Sequence, residues 1–191
     1  MEKNKQKIIF RDLQMKDFLR LHKMYDSFSD EKTRPFFDLY WLGLKRKTIK
    51  WFFAQFPLFF STIKLFRNIL FLVYPYLIFI SKIAVEGEKI ISNGFLIVRK
   101  RYGKRYFSAE LGIAVADNYQ GKGIGTEMMK QLIRKAQGER IKEIFLTTRV
   151  DNKKARSLYR KFGFKEESIL KDEVEWQGEK FDMYKMILLL K

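Results

Sequence analysis

The chain contains no cysteine. Disulfides, thiolate metal sites and a cysteine nucleophile are thereby excluded. Histidine is almost as scarce. His22 is the only one, so an imidazole base would rest on one residue near the start. A lone histidine in an N-terminal helix reads as a surface or half-buried side chain rather than a catalyst. Acidic residues are missing between Asp38 and Glu86. Long apolar runs are missing too: Lys50, Pro57, Lys64, Arg67 and Pro75 interrupt the apolar stretches. None therefore reaches the roughly 20 residues of a spanning helix. Met1 to Lys7 is polar and basic and lacks the apolar run of a secretory signal. A cytoplasmic location is expected, in keeping with the missing cysteines.

What is present bounds the class. The 191 residues suffice for one domain with a full core, and 47% hydrophobic with 32% charged residues suits a globular protein. The formal charge of +17 implies anionic partners: a phosphorylated cofactor, an acidic substrate, nucleic acid or an anionic membrane. Specific nucleic-acid binding is not expected, because the positive residues are spread along the chain and no zinc finger or RNP pattern occurs.

Three regions differ in character. The first, to about Phe37, holds a short strand at Ile8 to Phe10, then a helix carrying Leu13, Phe18, Leu19, Leu21 and Met24 at mixed helical spacing. The second, about 38–75, is crowded with aromatics (Trp41, Trp51, Phe52, Phe53, Phe59 and others), and past Asp38 its charges are all positive. It reads as two helices, about Leu44 to Gln55 and Leu58 to Val73, with Pro57 near the start of the second. Basic residues beside aromatics also suit a helix lying in a membrane interface. The reading adopted is an amphipathic pair covering the sheet or forming a homodimer contact.

The third region, 76–191, reads as ordered strands and helices. Strands are expected over 76–85, 89–99 and 105–115, with turns at Glu86 to Glu88 and Gly103. A helix is expected over 123–137, with Met128, Met129, Leu132, Ile133 and Ala136 as its apolar face. Then come a strand over 141–150, a helix over 152–162, and strands over 163–171 and 181–190. The expected class is α+β, a mixed sheet with helices packed on it and a helical insertion at 38–75.

The most informative stretch is Asn118 to Thr126, Asn-Tyr-Gln-Gly-Lys-Gly-Ile-Gly-Thr. It follows an apolar strand and opens an apolar-periodic helix. Glycines there let backbone approach a ligand, and free amides at the helix start favour a phosphate. A P-loop is excluded: Gly121-Lys122 is followed by Gly123, and Ala116 stands where the first glycine belongs. A dinucleotide fingerprint fails at Thr126, where its third glycine belongs. The pattern Gln/Arg-x-x-Gly-x-Gly/Ala is met by Gln120, Gly123 and Gly125.

Glu110 to Val115 followed by this loop resembles the pyrophosphate-binding motif of the GNAT family of N-acetyltransferases. A second segment, Asn152 to Phe164, resembles the family's Asn-x-x-Ala-x-x-Leu-Tyr-x-Lys-x-Gly-Phe pattern. The resemblance covers about 76–191 well, the first strand and helix loosely, and 38–73 not at all. It implies a single GNAT-like domain over 1–191, in which 76–191 binds acetyl-CoA and 38–75 lies on the acceptor side.

It further implies an acetyl-CoA-dependent N-acetyltransferase in which an amine attacks the thioester directly, without a metal. The cofactor would lie in a V-shaped split between the strands ending at Val115 and Val150. Ile113, Ala114 and Val115 would hold the acetyl and pantetheine groups by their backbone. The amides of Gly121, Lys122, Gly123, Ile124, Gly125 and Thr126 would hold the pyrophosphate, with Gln120 bracing the loop. Asn152 would contact the cofactor arm or fix the turn before the last helix. Tyr159 matches the tyrosine that protonates the departing thiolate; the competing reading is an aromatic packed under the cofactor. An attacking amine must lose a proton, and Glu110 is the candidate base, with simple pairing to a cation as the competing reading. Asp117, Asp182 and Tyr184 are weaker alternatives. Gly163 and Phe164 read as a turn and a core aromatic. The acceptor is expected to be a peptide or protein amine or an anionic small amine. A protein that binds CoA without turnover, its aromatic-basic helices meeting a partner or membrane, is the alternative.

Overall fold

The structure, a computed structural model, describes residues 7–28, 77–100, 107–176 and 178–191. The helix pair expected within 38–75 and the turn at Gly103 lie outside the described residues. The chain enters through β1 (Ile8–Asp12), a 3-10 turn (Met15–Asp17) and α1 (Phe18–Asp26). Beyond it run β2 (Leu77–Glu86), β3 (Lys89–Lys100) and β4 (Phe107–Val115). The 3-10 turn Asp117–Tyr119 leads into α2 (Ile124–Gly138), followed by β5 (Ile141–Arg149), α3 (Lys153–Lys161), β6 (Lys165–Trp176) and β7 (Glu179–Leu189).

These strands form one seven-stranded sheet in the order β1-β2-β3-β4-β5-β7-β6. All neighbours are antiparallel except β4 and β5. A parallel pair cannot be joined by a tight turn, and here α2 provides the crossover. The mixed sheet flanked by helices is the expected class.

Each face of the sheet carries its own apolar layer. Met128, Met129, Leu132 and Ala136 of α2 are fully buried against Leu96, Leu111, Ile144 and Leu146. Each buried methionine or leucine contributes about 1.5–3 kcal/mol by leaving water. The close approach depends on Gly94 in β3, where an added Cβ would sit 2.6 Å from Met128 Cγ. On the opposite face Met24 and Phe28 pack on Ile83, Val85, Ile90 and Ala114. The entry to α1 is fixed by Asp17, a buried carboxylate that accepts both Arg11 guanidinium nitrogens at 2.6 and 2.7 Å and the Gln14 amide at 2.9 Å. The Arg11 hydrogen bonds hold its carboxyl down at about 2, against the opposing cost of burial.

The last hairpin is longer than the sequence suggests. β6 was expected to stop at Lys171 and runs to Trp176, while β7 starts at Glu179. The charged residues that hid this extension sit on an edge strand, where polar side chains face water and blunt the edge. Two register shifts bend β6, between Glu166 and Ser168 and between Leu170 and Val174. Asp172 takes a left-handed φ of 52° in the second. Asp182 secures that bulge by accepting the Asp172 amide at 3.0 Å and the Lys171 ammonium at 2.9 Å.

Candidate active site

The site begins where the parallel pair comes apart. β4 and β5 are paired only from Phe107 and Ile141 as far as Glu110 and Phe145. Beyond them Leu111 to Val115 stays bonded to β3, and Leu146 to Arg149 stays bonded to β7. The two strands therefore splay, and the inner edge of β4 faces an open cleft. The backbone direction follows from alternation. The Ala116 amide donates to the Ile91 carbonyl of β3 at 2.9 Å. Neighbouring residues in a strand turn their polar groups to opposite edges. Gly112 and Ala114 thus face β3, and Ile113 and Val115 turn their N–H and C=O toward the split. A ligand with amide groups can complete the ladder there.

The glycine loop stands at the mouth of the split. Gly121 and Gly123 have φ of +75° and +79°, the left-handed region that L side chains rarely occupy. Gly123 is the N-cap of α2 and offers no side-chain cap. The first helical bond runs from the Glu127 amide to the Gly123 carbonyl. The preceding amides of the first turn have no partner within the helix, and they carry its positive dipole end. Gln120 braces the loop: its Nε2 donates to the Val115 carbonyl at 3.2 Å and to Asp117 Oδ1 at 3.1 Å. Gly125 lets α3 approach, since an added Cβ would lie 3.3 Å from Leu158 Cδ2. The cleft, about 1230 Å³, is lined by Ile113, Ala114, Val115, Gln120, Gly121, Gly123, Gly125 and Thr126 from this part of the chain. Ile124 is buried in the core, and the exposed Lys122 rests its ammonium 5.1 Å from the centre of the Tyr119 ring.

The second motif forms the opposite wall. Asn152 is the N-cap of α3, its Oδ1 accepting the Ala155 amide at 3.0 Å. It therefore fixes the turn, while also lining the cleft. Tyr159 lies two turns on, buried on the α2 side of the sheet, with its ring 5.9 Å from that of Phe164. It lines the cleft, and burial raises its phenol to about 12. Gly163 turns the chain at φ +88°, and Phe164 is 3% exposed in the core.

Glu110 stands at the apex of the split, the last β4 residue paired to β5. It is half-buried and lines the cleft. Of the weaker candidates, Asp117 lines the cleft but accepts the Gln120 side chain. Asp182 holds the β6 bulge; the Asp172 amide, then Lys171, lower its carboxyl. Tyr184 lies beneath the Arg156 guanidinium at 4.2 Å. Neither Asp182 nor Tyr184 belongs to the cleft wall. The sequence reading missed Phe28, Phe95, Thr147, Arg149 and Met183, which also line it. Phe28, Phe95 and Met183 carry no signal that separates a wall from a core, and Thr147 and Arg149 read as the solvent-facing positions of a strand. Among the described residues no group of three or more His, Asp or Glu is placed to hold a metal. Among them also no helix is long and apolar enough to cross a membrane.

A family model described as Acetyltransferase (GNAT) family matches residues 21–164. The chain belongs to the GNAT acetyltransferase family. It is 32% identical over 103 residues to the L-amino acid N-acetyltransferase AaaT of Escherichia coli (strain K12), a match covering 53% of this chain and 62% of that relative. The chain thus spans less than two thirds of this relative's length. Two solved structures share the fold. A GNAT-family acetyltransferase from Streptococcus pneumoniae superposes with a TM-score of 0.68 at 18% identity, covering 97% of this chain and all of that one. The protein yncA from Salmonella typhimurium, solved with its cofactor acetyl-CoA, superposes with a TM-score of 0.64 at 16% identity, covering 96% of this chain and 94% of that one.

The GNAT cofactor, acetyl-CoA, can be tested against this chain's own groups. Its amide-bearing arm matches the backbone that Ile113 and Val115 turn toward the split, where the Val115 carbonyl also accepts the Gln120 side chain. Its pyrophosphate matches the uncapped amides at the start of α2, with lysines 153 and 154 on the cleft wall supplying positive charge. The residues fit the group.

Proposed function

We propose that the protein is an acetyl-CoA-dependent N-acetyltransferase that acts on a primary amine by direct attack. The observation that carries the reading is the β4–β5 split, open beyond Glu110 and Phe145, with an uncapped helix start at its mouth. Acetyl-CoA supplies an acyl carbon activated as a thioester. The backbone of Ile113 and Val115 aligns the arm, and the amides from Gly121 to Thr126 anchor its phosphates. Holding two reactants in line supplies much of the rate in such a site.

Glu110, at the apex, takes the proton from the incoming ammonium, directly or through water. Tyr159 faces the split from the other side of the sheet. Its phenol, raised to about 12 by burial, lies about three units above an ordinary thiol. Full proton transfer to the departing thiolate is therefore uphill. Tyr159 acts best as a hydrogen-bond donor that stabilises the developing charge on sulfur, and solvent completes the protonation.

The acceptor we favour is a small amine carrying a carboxylate. The positive balance of the chain supports it, as does the identity with a relative named for L-amino acids. The aromatic-basic segment 38–75 would add to the acceptor side. The test is a screen of amino acids, peptides and polyamines with acetyl-CoA, following thiol release and confirming products by mass. Transfer to amino acids, cut about tenfold or more in Tyr159→Phe, is expected. CoA binding without transfer to any amine would replace the enzyme with a CoA-binding module.

A further inference from the structure

The cleft passes through the sheet, and its two faces differ in chemistry. Tyr159 and the α2 start lie on one face. On the other, alternation places Glu110, Gly112 and Ala114 of β4 beside Ile97, Phe95 and Asn93 of β3, their register partners. Phe145, paired with Glu110, and then Thr147 and Arg149 continue this face on β5. Arg149 holds Asp151 through two hydrogen bonds, so its charge is already balanced.

One aromatic ring reaches the split only because a side chain is missing. A Cβ built on Gly112 would meet the tip of the Phe95 ring, 2.3 Å from Cζ and 2.6 and 2.9 Å from the two Cε atoms. A side chain at 112 would have to push this ring aside. The ring extends from β3 across β4 and lines the cleft. Phe28, from the end of α1, and Met183, from β7, line it as well, both 3% exposed. Of the carboxylates on the cleft wall, Asp117 accepts the Gln120 side chain and Asp151 the Arg149 guanidinium, and Glu110 lies on the same face of β4 as the notch that the Phe95 ring fills.

We propose that Phe95, lying in the notch left by Gly112, is the specificity-determining wall of an acceptor subsite for a primary amine with a compact apolar substituent. This rests on the acetyltransferase reading and deepens it. The Glu110 carboxylate and the Phe95 ring on one face suit an ammonium that carries an apolar body. They do not suit a polyamine, whose further ammonium groups would meet the apolar ring and the cations Lys153 and Lys154 of the cleft wall. The ring tip over Gly112 leaves room beside Glu110 for a short side chain and excludes a bulky one.

The test uses the purified full chain and acetyl-CoA, with alanine, leucine, phenylalanine and spermidine as acceptors. The variants are Phe95→Ala, Phe95→Leu, Gly112→Ala and the Phe95→Ala/Gly112→Ala double. Wild type is expected to prefer alanine. Phe95→Ala should raise the ratio of kcat/KM for phenylalanine over alanine by about tenfold or more, the scale of a methylene or more of pocket space. The change should fall on the acceptor KM, while acetyl-CoA affinity by calorimetry stays within about twofold because other groups anchor it. Gly112→Ala alone should lower activity on every acceptor by forcing the ring aside. In the Phe95→Ala background it should cost little, since the clash is gone. Phe95→Leu serves as the folded control if Phe95→Ala loses its thermal transition. An unchanged ratio in a folded variant overturns the proposal, as does a wild-type preference for spermidine. Acetyl-CoA binding with no acetylation of this series also overturns it and leaves the cofactor site standing. No acetyl-CoA binding would instead remove the acetyltransferase reading.

Discussion

Substituting Gly123 separates two roles that this residue combines. Its φ of +79° lies in the left-handed region, yet a Cβ there would meet no protein atom within 4 Å. Alanine therefore creates no clash, and its cost to the free protein is backbone strain of about 1–2 kcal/mol. For a chain of this size that lowers Tm by roughly 2–8 °C. The added methyl projects into the open space where a phosphate must approach the first amides of α2. Losing one hydrogen bond to a charged group costs about 1.5–3 kcal/mol, roughly 10- to 150-fold in affinity. Gly123→Ala should therefore weaken CoA binding by at least that lower factor while the protein stays folded. Gly123→Asn refines the comparison. Asparagine enters the left-handed region more readily, so its Tm should fall less while the binding loss remains. Calorimetric titration with CoA and a thermal scan read both quantities. Wild-type affinity in a folded Gly123→Ala would refute the reasoning and reduce the glycine to a helix start.

Three further outcomes follow from the same geometry. Asn152→Ala removes the cap of α3 and should cost about 1 kcal/mol, a Tm drop of roughly 2–4 °C by scanning calorimetry; an unchanged Tm would show that water replaces the cap. Tyr159, neutral and buried with its phenol at about 12, favours the folded state fully below an unfolded value near 10. That contribution, about 3 kcal/mol at most, is lost as pH rises through about 12, so denaturant melts should show stability falling there and Tyr159→Phe should flatten the fall. Asp17, held at about 2 by Arg11, contributes above an unfolded value near 3.9 and loses its contribution as pH falls through about 2. Asp17→Ala should cost about 2 kcal/mol at neutral pH, since the half-exposed guanidinium is partly rehydrated, and should blunt the acid transition; an unchanged melt at pH 7 would contradict the pairing.

The sheet was legible because its strands are apolar and bounded by turns: Lys89–Lys100 and Phe107–Val115 lie within one or two residues of the expected runs. The start of α2 was legible for a different reason, the glycines at 121, 123 and 125, whose spacing has few other uses. Asn152 was marked by motif, and its cap is local enough to be read from three residues. The split itself was not readable from local pattern. It depends on where hydrogen bonding between β4 and β5 stops, and nothing near Glu110 or Phe145 announces that. The β6–β7 hairpin was underestimated because charged residues at an exposed edge look like a loop. Phe95 was hidden because its role arises from a glycine seventeen positions away, across a strand pair that only the fold brings together.

The central claim is that the glycine loop and the split hold an acyl-CoA. The most direct test is calorimetric titration of the purified protein with acetyl-CoA, for wild type and for Gly123→Glu. The account predicts micromolar binding by wild type, abolished in the variant by a carboxylate placed where the phosphates belong, with both proteins melting cooperatively. A well-folded wild type that binds neither acetyl-CoA nor CoA, or a Gly123→Glu that binds as tightly as wild type, would contradict it.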